Sequence, residues 1–260
     1  MPATKQAGSA EHWGPLWDVR PEDWGAIEEQ QLPTYEEAIS RTGIAAGQCV
    51  LEVACGTGVF LRAAADRGAQ VHGLDASEAL LALARARVPE AGLRQGDMQF
   101  LPHADDSFDI VAGFNAFFFA ADMVAALREA GRVAKPGSPV VIQVWGAPER
   151  CTIEAMKAAI FDERGAPPFW RPGTLEELAS AAGLAPGESF DISWAYEFPD
   201  EDSLVRGMLS AGPVTALAEQ AGRDRIGRAI ADSLAPYRTS DGGYRLDNEW
   251  HFLVARKLTR

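Results

Sequence analysis

The stretch Val50–Phe60, VLEVACGTGVF, decides the fold of this 260-residue chain. Its first residues are apolar, as in a short buried strand, and Phe60 begins a segment of helical composition. Between them, Gly56 and Gly58 allow a tight turn and a close approach of a ligand to the backbone. Backbone N–H groups and the helix dipole at such a turn favour an anionic group nearby. The stretch is typical of the first strand-to-helix turn of a nucleotide-binding sheet.

Strands and helices alternate on the C-terminal side of this turn. Apolar strands separated by helices favour βαβ units and a parallel sheet that is covered on both faces. Ser77 is predicted to cap the helix that precedes Pro89. The predicted strands are 49–54, 69–74, 93–95, 108–114 and 139–145, and the predicted helices are 60–67, 78–88 and 122–134.

The last third of the chain has a different pattern. Phe190–Phe198 alternates apolar and polar residues strictly, which predicts a half-buried strand at a sheet edge. Residues 200–236 have helical spacing, and Trp250–Leu258 is predicted to be a final strand. Two capping boxes, Thr34 with Glu37 and Thr174 with Glu177, predict the starts of two further helices.

The chain is predicted to be a single domain, 13–260, behind a disordered polar tail, 1–12. Within it, 13–45 forms an N-terminal helical segment that carries Trp13, Trp17 and Trp24. These tryptophans either dock the segment on the main core or form a lid over a ligand. We expect 147–186 and 200–238 to be insertions that cap the substrate.

Two nucleotide-binding motifs do not fit the turn. A dinucleotide fingerprint needs a small residue at position 61, where this chain has Leu61, and a P-loop needs a lysine where it has Val59. Glu52, on the strand before the turn, would repel a pyrophosphate but suits a ligand that carries an ammonium group. An oxidoreductase that uses a nicotinamide cofactor is therefore the second choice rather than the first.

Two further acids follow the next two strands. Asp75 ends the second strand, where a carboxylate can accept hydrogen bonds from both hydroxyls of a ribose. Asp97 follows the third strand, where it could accept from the amino group of an adenine. Because parallel strands end at one edge of a sheet, Glu52, Asp75 and Asp97 are predicted to lie side by side there.

The region from Cys49 to Gly146 resembles the class I S-adenosylmethionine-dependent methyltransferases, and most of all their type 11 branch, which acts on small molecules. Five ordered blocks carry the resemblance at the spacing of that family. They are Glu52–Gly58 (EVACGTG), Asp75, Gly96–Met98 (GDM), the pair Leu101-Pro102 with Asp106–Asp109 (DSFD), and Arg132–Gly137 (RVAKPG). One departure is Ala54, where many relatives carry glycine.

The resemblance implies a Rossmann-like α/β fold. Its sheet would be mixed and seven-stranded, in the order 3-2-1-4-5-7-6, with the last strand antiparallel and helices on both faces. The resemblance also implies the cofactor S-adenosylmethionine, released as S-adenosylhomocysteine. Glu52, Ala54, Gly56, Thr57 and Gly58 would surround its methionine part, Asp75 and Ala76 its ribose, Asp97 and Met98 its adenine, and Asn115 the sulfonium.

Composition limits the partners. The formal net charge is −13, so we expect no nucleic acid and no anionic membrane as the main partner. The three cysteines are too few and too scattered for a disulfide framework, which favours a cytoplasmic protein. The many tryptophans and phenylalanines indicate a small apolar or aromatic acceptor, bound by a monomer or a homodimer.

No convincing general base stands out, so the catalytic residues remain unassigned. The best candidate is His251, which begins the predicted last strand and would there approach the acceptor. We expect no metal, because no cluster of residues has metal-ligand spacing. A protein that binds S-adenosylmethionine without catalysis is a third alternative that the sequence leaves open.

Overall fold

The computed structural model describes residues 8–161 and 169–259, in which seven strands form one sheet in the order β3-β2-β1-β4-β5-β7-β6. The first five strands pair in parallel, and β7 runs antiparallel to both β5 and β6. The fold expected from the resemblance is confirmed. The strands are β1 (Cys49–Val53), β2 (Gln70–Asp75), β3 (Gly92–Gln95), β4 (Ile110–Phe114), β5 (Pro139–Trp145), β6 (Leu184–Phe198) and β7 (Tyr244–Lys257).

Eleven α-helices belong to the described residues. They are α1 (Ala10–Trp17), α2 (Pro21–Glu29), α3 (Leu32–Thr42), α4 (Val59–Ala65), α5 (Glu78–Arg87), α6 (Met123–Val133), α7 (Ile153–Ile160), α8 (Thr174–Ala181), α9 (Glu201–Met208), α10 (Gly212–Ala221) and α11 (Arg223–Leu234). Among them, no helix is long and apolar enough to cross a bilayer.

The sheet separates two apolar cores, because successive side chains of a strand point to opposite faces. Val50 of β1 and Phe252 of β7 pack on one face, together with helices α3, α4 and α11. Leu51 and Leu253, one residue further on, pack on the other face with α6 and α8. These strands are buried on both faces, which is why their sequences read as continuous apolar runs.

Local helix signals were predicted less well than the sheet. Ser77 does cap α5, since its Oγ accepts from the Leu80 N–H. The other two predicted caps are wrong: α3 begins at Leu32, ahead of Thr34, and Gly173 rather than Thr174 is the N-cap of α8. The Thr34 hydroxyl instead donates to the Gln31 carbonyl within the first turn of α3.

Three predicted boundaries also need correction. The edge strand β6 begins at Leu184 and passes a bulge between Ala185 and Glu188, and the final strand begins at Tyr244. The alternation that marked the edge strand starts only after that bulge. Helix α1 begins at Ala10, so the predicted disorder is wrong for 10–12; residues 1–7 of that tail lie outside the described residues.

Ala54 occupies a backbone conformation that favours glycine. Its φ is +57°, and it follows β1 at the start of the turn. A side chain beyond glycine in this left-handed region costs about 1–2 kcal/mol. The departure from the family pattern at this position therefore carries local strain.

We expect Ala54→Gly to raise the free energy of unfolding by about 1 kcal/mol, because it relieves that strain. Denaturation with urea would measure the change. Ala82→Gly, in the exposed interior of α5, is the control and should destabilise by about 1 kcal/mol. An equal decrease of the free energy of unfolding in both variants would contradict the strain assigned to Ala54.

Candidate functional site

A cavity of about 700 Å³ lies at the carboxyl edge of the parallel strands. The sheet forms its floor, and α1, α2 and α3 cover it from one side, while α7, α9 and α10 contribute further walls. Eight of the ten residues that the sequence predicts for the cofactor line this cavity. They are Glu52, Ala54, Gly56, Asp75, Ala76, Asp97, Met98 and Asn115.

The other two predicted residues shape the turn without lining the cavity. Thr57 is fully buried, and its backbone N–H donates to Glu28 over 2.8 Å. Gly58 has a φ of +80°, and a Cβ built on it would lie 3.2 Å from the Cβ of Ala84. A side chain at Gly58 would therefore meet α5 rather than a ligand.

Asp75 holds the turn together from the end of β2. One carboxylate oxygen accepts from the Gly56 N–H at 2.9 Å, and the other accepts from the Ser77 N–H at 2.8 Å. The side chain is 6% exposed, and burial raises its pKa to about 6. A carboxylate oxygen can accept about two hydrogen bonds, so Asp75 keeps acceptor capacity toward the cavity.

Glu52 has an unsatisfied atom. The side chain is 2% exposed, and its Oε2 is buried with no hydrogen-bond partner among the described residues. Burial raises its pKa well above the usual range, and the neighbouring charges of Glu28 and Asp75 raise it further. A buried carboxylate without a donor is costly, so this position is suited to a ligand that donates hydrogen bonds or carries positive charge.

Asp97 lies where the N-terminal segment closes on the cavity. Its Oδ1 accepts from the Gln99 N–H, and its Oδ2 accepts from the Ala10 N–H at 2.7 Å. A Cβ on Gly8 would lie 2.3 Å from Oδ2. Gly8 and Ala10 thus pack directly on the residue predicted to face adenine.

Asn115 follows β4 with a φ of +49°, a conformation that asparagine tolerates better than most residues. Its Nδ2 donates to Gln31 Oε1 at 3.4 Å, while its Oδ1 is buried and finds no partner in 8–161 or 169–259. A second unsatisfied acceptor therefore lies on the cavity wall, at the place that the resemblance implies for the sulfonium and the acceptor.

Aromatic rings form much of the remaining wall. Trp17 contacts Trp24 with ring centroids 4.6 Å apart, and Phe119 links Trp17 to Trp13. Phe118 and Phe119 line the cavity, whereas Phe117 is buried in the core beneath them. The three N-terminal tryptophans thus both dock their segment and line the cavity.

His251 does not approach this cavity. It lies in the middle of β7, because that strand begins six residues earlier than predicted, at Tyr244. Its Nδ1 is 2.6 Å from Asp191 Oδ1 on β6, and it is not among the lining residues. This position gives no support to the role considered for it as a base. In 8–161 and 169–259, no group of three His, Cys, Asp or Glu side chains could hold a metal ion.

Sequence reasoning missed Glu28 of α2. The side chain is 4% exposed, lines the cavity and accepts from the Thr57 N–H. Burial raises its pKa to about 7, although the hydrogen bonds from the turn oppose this shift. No local pattern marks it, since several acidic residues lie between positions 22 and 37 and only the packing of α2 selects this one.

Comparisons with known proteins agree with this geometry. Residues 51–142 match the family described as Methyltransferase domain. A probable S-adenosylmethionine-dependent methyltransferase of Mycolicibacterium smegmatis is 36% identical over 200 residues, which cover 75% of this chain and 74% of that protein. A demethylmenaquinone methyltransferase of Halalkalibacterium halodurans is 33% identical over 190 residues, covering 68% and 72%.

Other matches are shorter or more distant. Against three uncharacterized mycobacterial proteins the chain is 36% identical over 122 residues, which span 44% of their length. A solved methyltransferase of Haloferax volcanii, described as putative and in complex with the activator Trm112, has a TM-score of 0.62 at 23% identity. That alignment covers 93% of this chain and 97% of the other, and it supports the fold alone.

The raised pKa of Glu28 predicts how its stability contribution depends on pH. A carboxyl whose pKa is raised on folding stabilises most below its unfolded value of 4.5, and this contribution is lost as pH rises through about 7. Relative to Glu28→Gln, the wild-type free energy of unfolding should fall by about 3 kcal/mol between pH 5 and pH 8.

Urea unfolding of the ligand-free protein at both pH values would measure this difference. Glu22→Gln, on the exposed face of the same helix, should follow the wild type. A Glu28→Gln variant with the wild-type pH dependence would show that Glu28 titrates normally.

Proposed function

Because the chain belongs to the class I S-adenosylmethionine-dependent methyltransferases, we propose that it transfers a methyl group from S-adenosylmethionine to a small-molecule acceptor. The observation that carries this proposal is the presence of Glu52, Asp75 and Asp97 on one cavity, at the ends of β1 and β2 and just after β3. The unsatisfied oxygens of Glu52 and Asn115 fit a ligand that is cationic and rich in hydrogen-bond donors.

The family pattern assigns each end of the cavity to a part of the cofactor. Glu52, Ala54 and Gly56 would hold the methionine part, Asp75 and Ala76 the ribose, and Asp97 and Met98 the adenine. Thr57 and Gly58 would contribute by fixing the turn. Five acidic side chains line the cavity, namely Glu28, Glu52, Asp75, Asp97 and Glu154, and a cationic cofactor would favour their charged forms.

When bound, the cofactor supplies a methyl group that its sulfonium has already activated. The residues of this chain then have to hold the acceptor in line with that methyl group and to exclude water. Orientation of this kind can lower a barrier by several kcal/mol, with about 7–11 kcal/mol as the upper range. Asn115 and Gln31, which both line the cavity, would orient a polar atom of the acceptor.

The acceptor in this proposal is apolar or aromatic. Trp145 and Tyr196 form one part of the wall, and Ile153 and Met156 of α7 form another. Surfaces of this composition favour planar, apolar molecules over strongly charged ones. The free thiols of Cys49, Cys55 and Cys151 support a reducing compartment such as the cytoplasm.

Calorimetric titration with S-adenosylmethionine and, separately, with NADH tests the cofactor. We expect micromolar binding of the first compound and none of the second. Asp75→Asn should weaken the binding of S-adenosylmethionine by about tenfold or more, because a buried hydrogen-bonded carboxylate loses its charge. Asp232→Asn, on the exposed face of α11, is the matched control.

Turnover distinguishes an enzyme from a binding protein. A panel of quinols, phenols and aromatic amines should yield S-adenosylhomocysteine with at least one member. Binding of NADH alone would overturn the proposal in favour of an oxidoreductase, and tight binding of S-adenosylmethionine without any turnover would favour the non-catalytic alternative.

A further inference from the structure

We propose that Glu28 is a cofactor-binding residue that, together with Glu52, receives the ammonium group of the methionine part. The inference rests on the proposed function, because it concerns the same cofactor. It adds a residue from outside the family motifs, on a helix of the N-terminal segment, and it gives that segment a direct part in binding.

Glu28 is held against the turn. Its Oε2 accepts from the Thr57 N–H at 2.8 Å, and its Oε1 is 3.4 Å from the Val59 nitrogen. A Cβ built on Gly56 would lie 2.5 Å from Oε2. The carboxylate therefore occupies the space directly over Gly56, beside the segment that the family pattern assigns to the methionine part.

Both carboxylates have room for further donors. A carboxylate offers about four acceptor positions, and the turn occupies one on each oxygen of Glu28. Glu52 lines the same cavity, and its buried Oε2 has no partner among the described residues. An ammonium group has three N–H donors and a positive charge, so one ligand group could satisfy both side chains.

The surroundings of Glu28 are short of positive charge. Within the part of the chain that the structure describes, the cation that acts on it from the packed elements is Arg87 of α5, which pairs with the exposed Glu29 at 2.7 Å. The other groups are neutral or acidic: Tyr35 of α3, Cys55 of the turn, Glu52 of β1 and Tyr196 of β6. Asp75 of β2 acts in turn on Glu52. Without a bound cationic ligand, burial and mutual repulsion favour the protonated forms of Glu28 and Glu52.

This arrangement couples binding to proton release. An ammonium group that binds between Glu28 and Glu52 favours their charged forms, so protons must leave as the cofactor binds. The sulfonium cannot replace it in this role, because it has no N–H donor. The ammonium is present in S-adenosylmethionine and in S-adenosylhomocysteine but absent from 5′-methylthioadenosine, which lacks the amino-acid part.

The test is calorimetry of the full chain at pH 7 with these three compounds, in two buffers that differ in ionisation enthalpy. Glu28→Gln keeps the size of the side chain and an acceptor for the Thr57 N–H, and Glu22→Gln on the same helix is the control. Glu28→Gln should weaken the binding of both compounds that carry the ammonium by about tenfold or more and leave the binding of methylthioadenosine nearly unchanged. Proton release should fall in the same variant.

Two results would overturn the inference and leave the proposed function standing. One is wild-type binding of S-adenosylmethionine with no proton release, which needs no variant and so holds even where Glu28→Gln fails to fold. The other is an equal loss of affinity for all three compounds in Glu28→Gln, which would reflect a damaged turn. Failure of the wild type to bind S-adenosylmethionine would instead count against the proposed function itself.

Discussion

The structure depends on carboxylates that are held out of water around one Gly-rich turn. Asp75 accepts from the amides of Gly56 and Ser77, and Glu28 accepts from the amide of Thr57. Buried backbone N–H groups need partners, and these acids provide them. The same bonds bring negative charges into a small, poorly solvated volume, where repulsion and desolvation raise their pKa values. The contacts that stabilise the turn are thus also the ones that hold these acids where their pKa values rise.

The N-terminal segment closes the cavity through the same kind of contact. Asp18 accepts from the Ser77 hydroxyl at 2.6 Å and from the Ala79 N–H at 2.9 Å, beside Asp75. Asp97 accepts from the Ala10 N–H, so here the carboxylate comes from the sheet and the donor from the helix. The bonds of Asp18 end at the start of α5, directly after Asp75 and Ala76, and the bond of Ala10 ends on Asp97. The covering helices are therefore positioned by the site that they cover.

Short sequence patterns predicted the features that depend on only a few neighbouring residues. The apolar runs around Val50 and Val141, the glycines of the turn and the acids after successive strands are each visible in a few residues, and the parallel topology brings the strand ends together. Thr34 and Thr174 were misjudged because the N-caps are Gln31 and Gly173, three residues and one residue earlier, with Pro33 accepted in the first turn of α3. The sequence could not predict that Glu28 lines the cavity, because only the packing of α2 against the turn brings it there.

The proposed role of Glu28 ties the covering segment to the cofactor thermodynamically. A residue that contacts both the turn and the ligand can bind the ligand only while α2 is docked. Binding then stabilises the docked segment, and a contact that raises the docked fraction raises the apparent affinity in proportion to that fraction. The contacts of Asp18 with Ser77 and of Trp17 with Trp24 do not involve Glu28 or Glu52. They nevertheless contribute to the same docking equilibrium of the N-terminal segment. Because Trp13, Trp17 and Trp24 also line the cavity, cofactor binding would complete the aromatic wall that faces the acceptor.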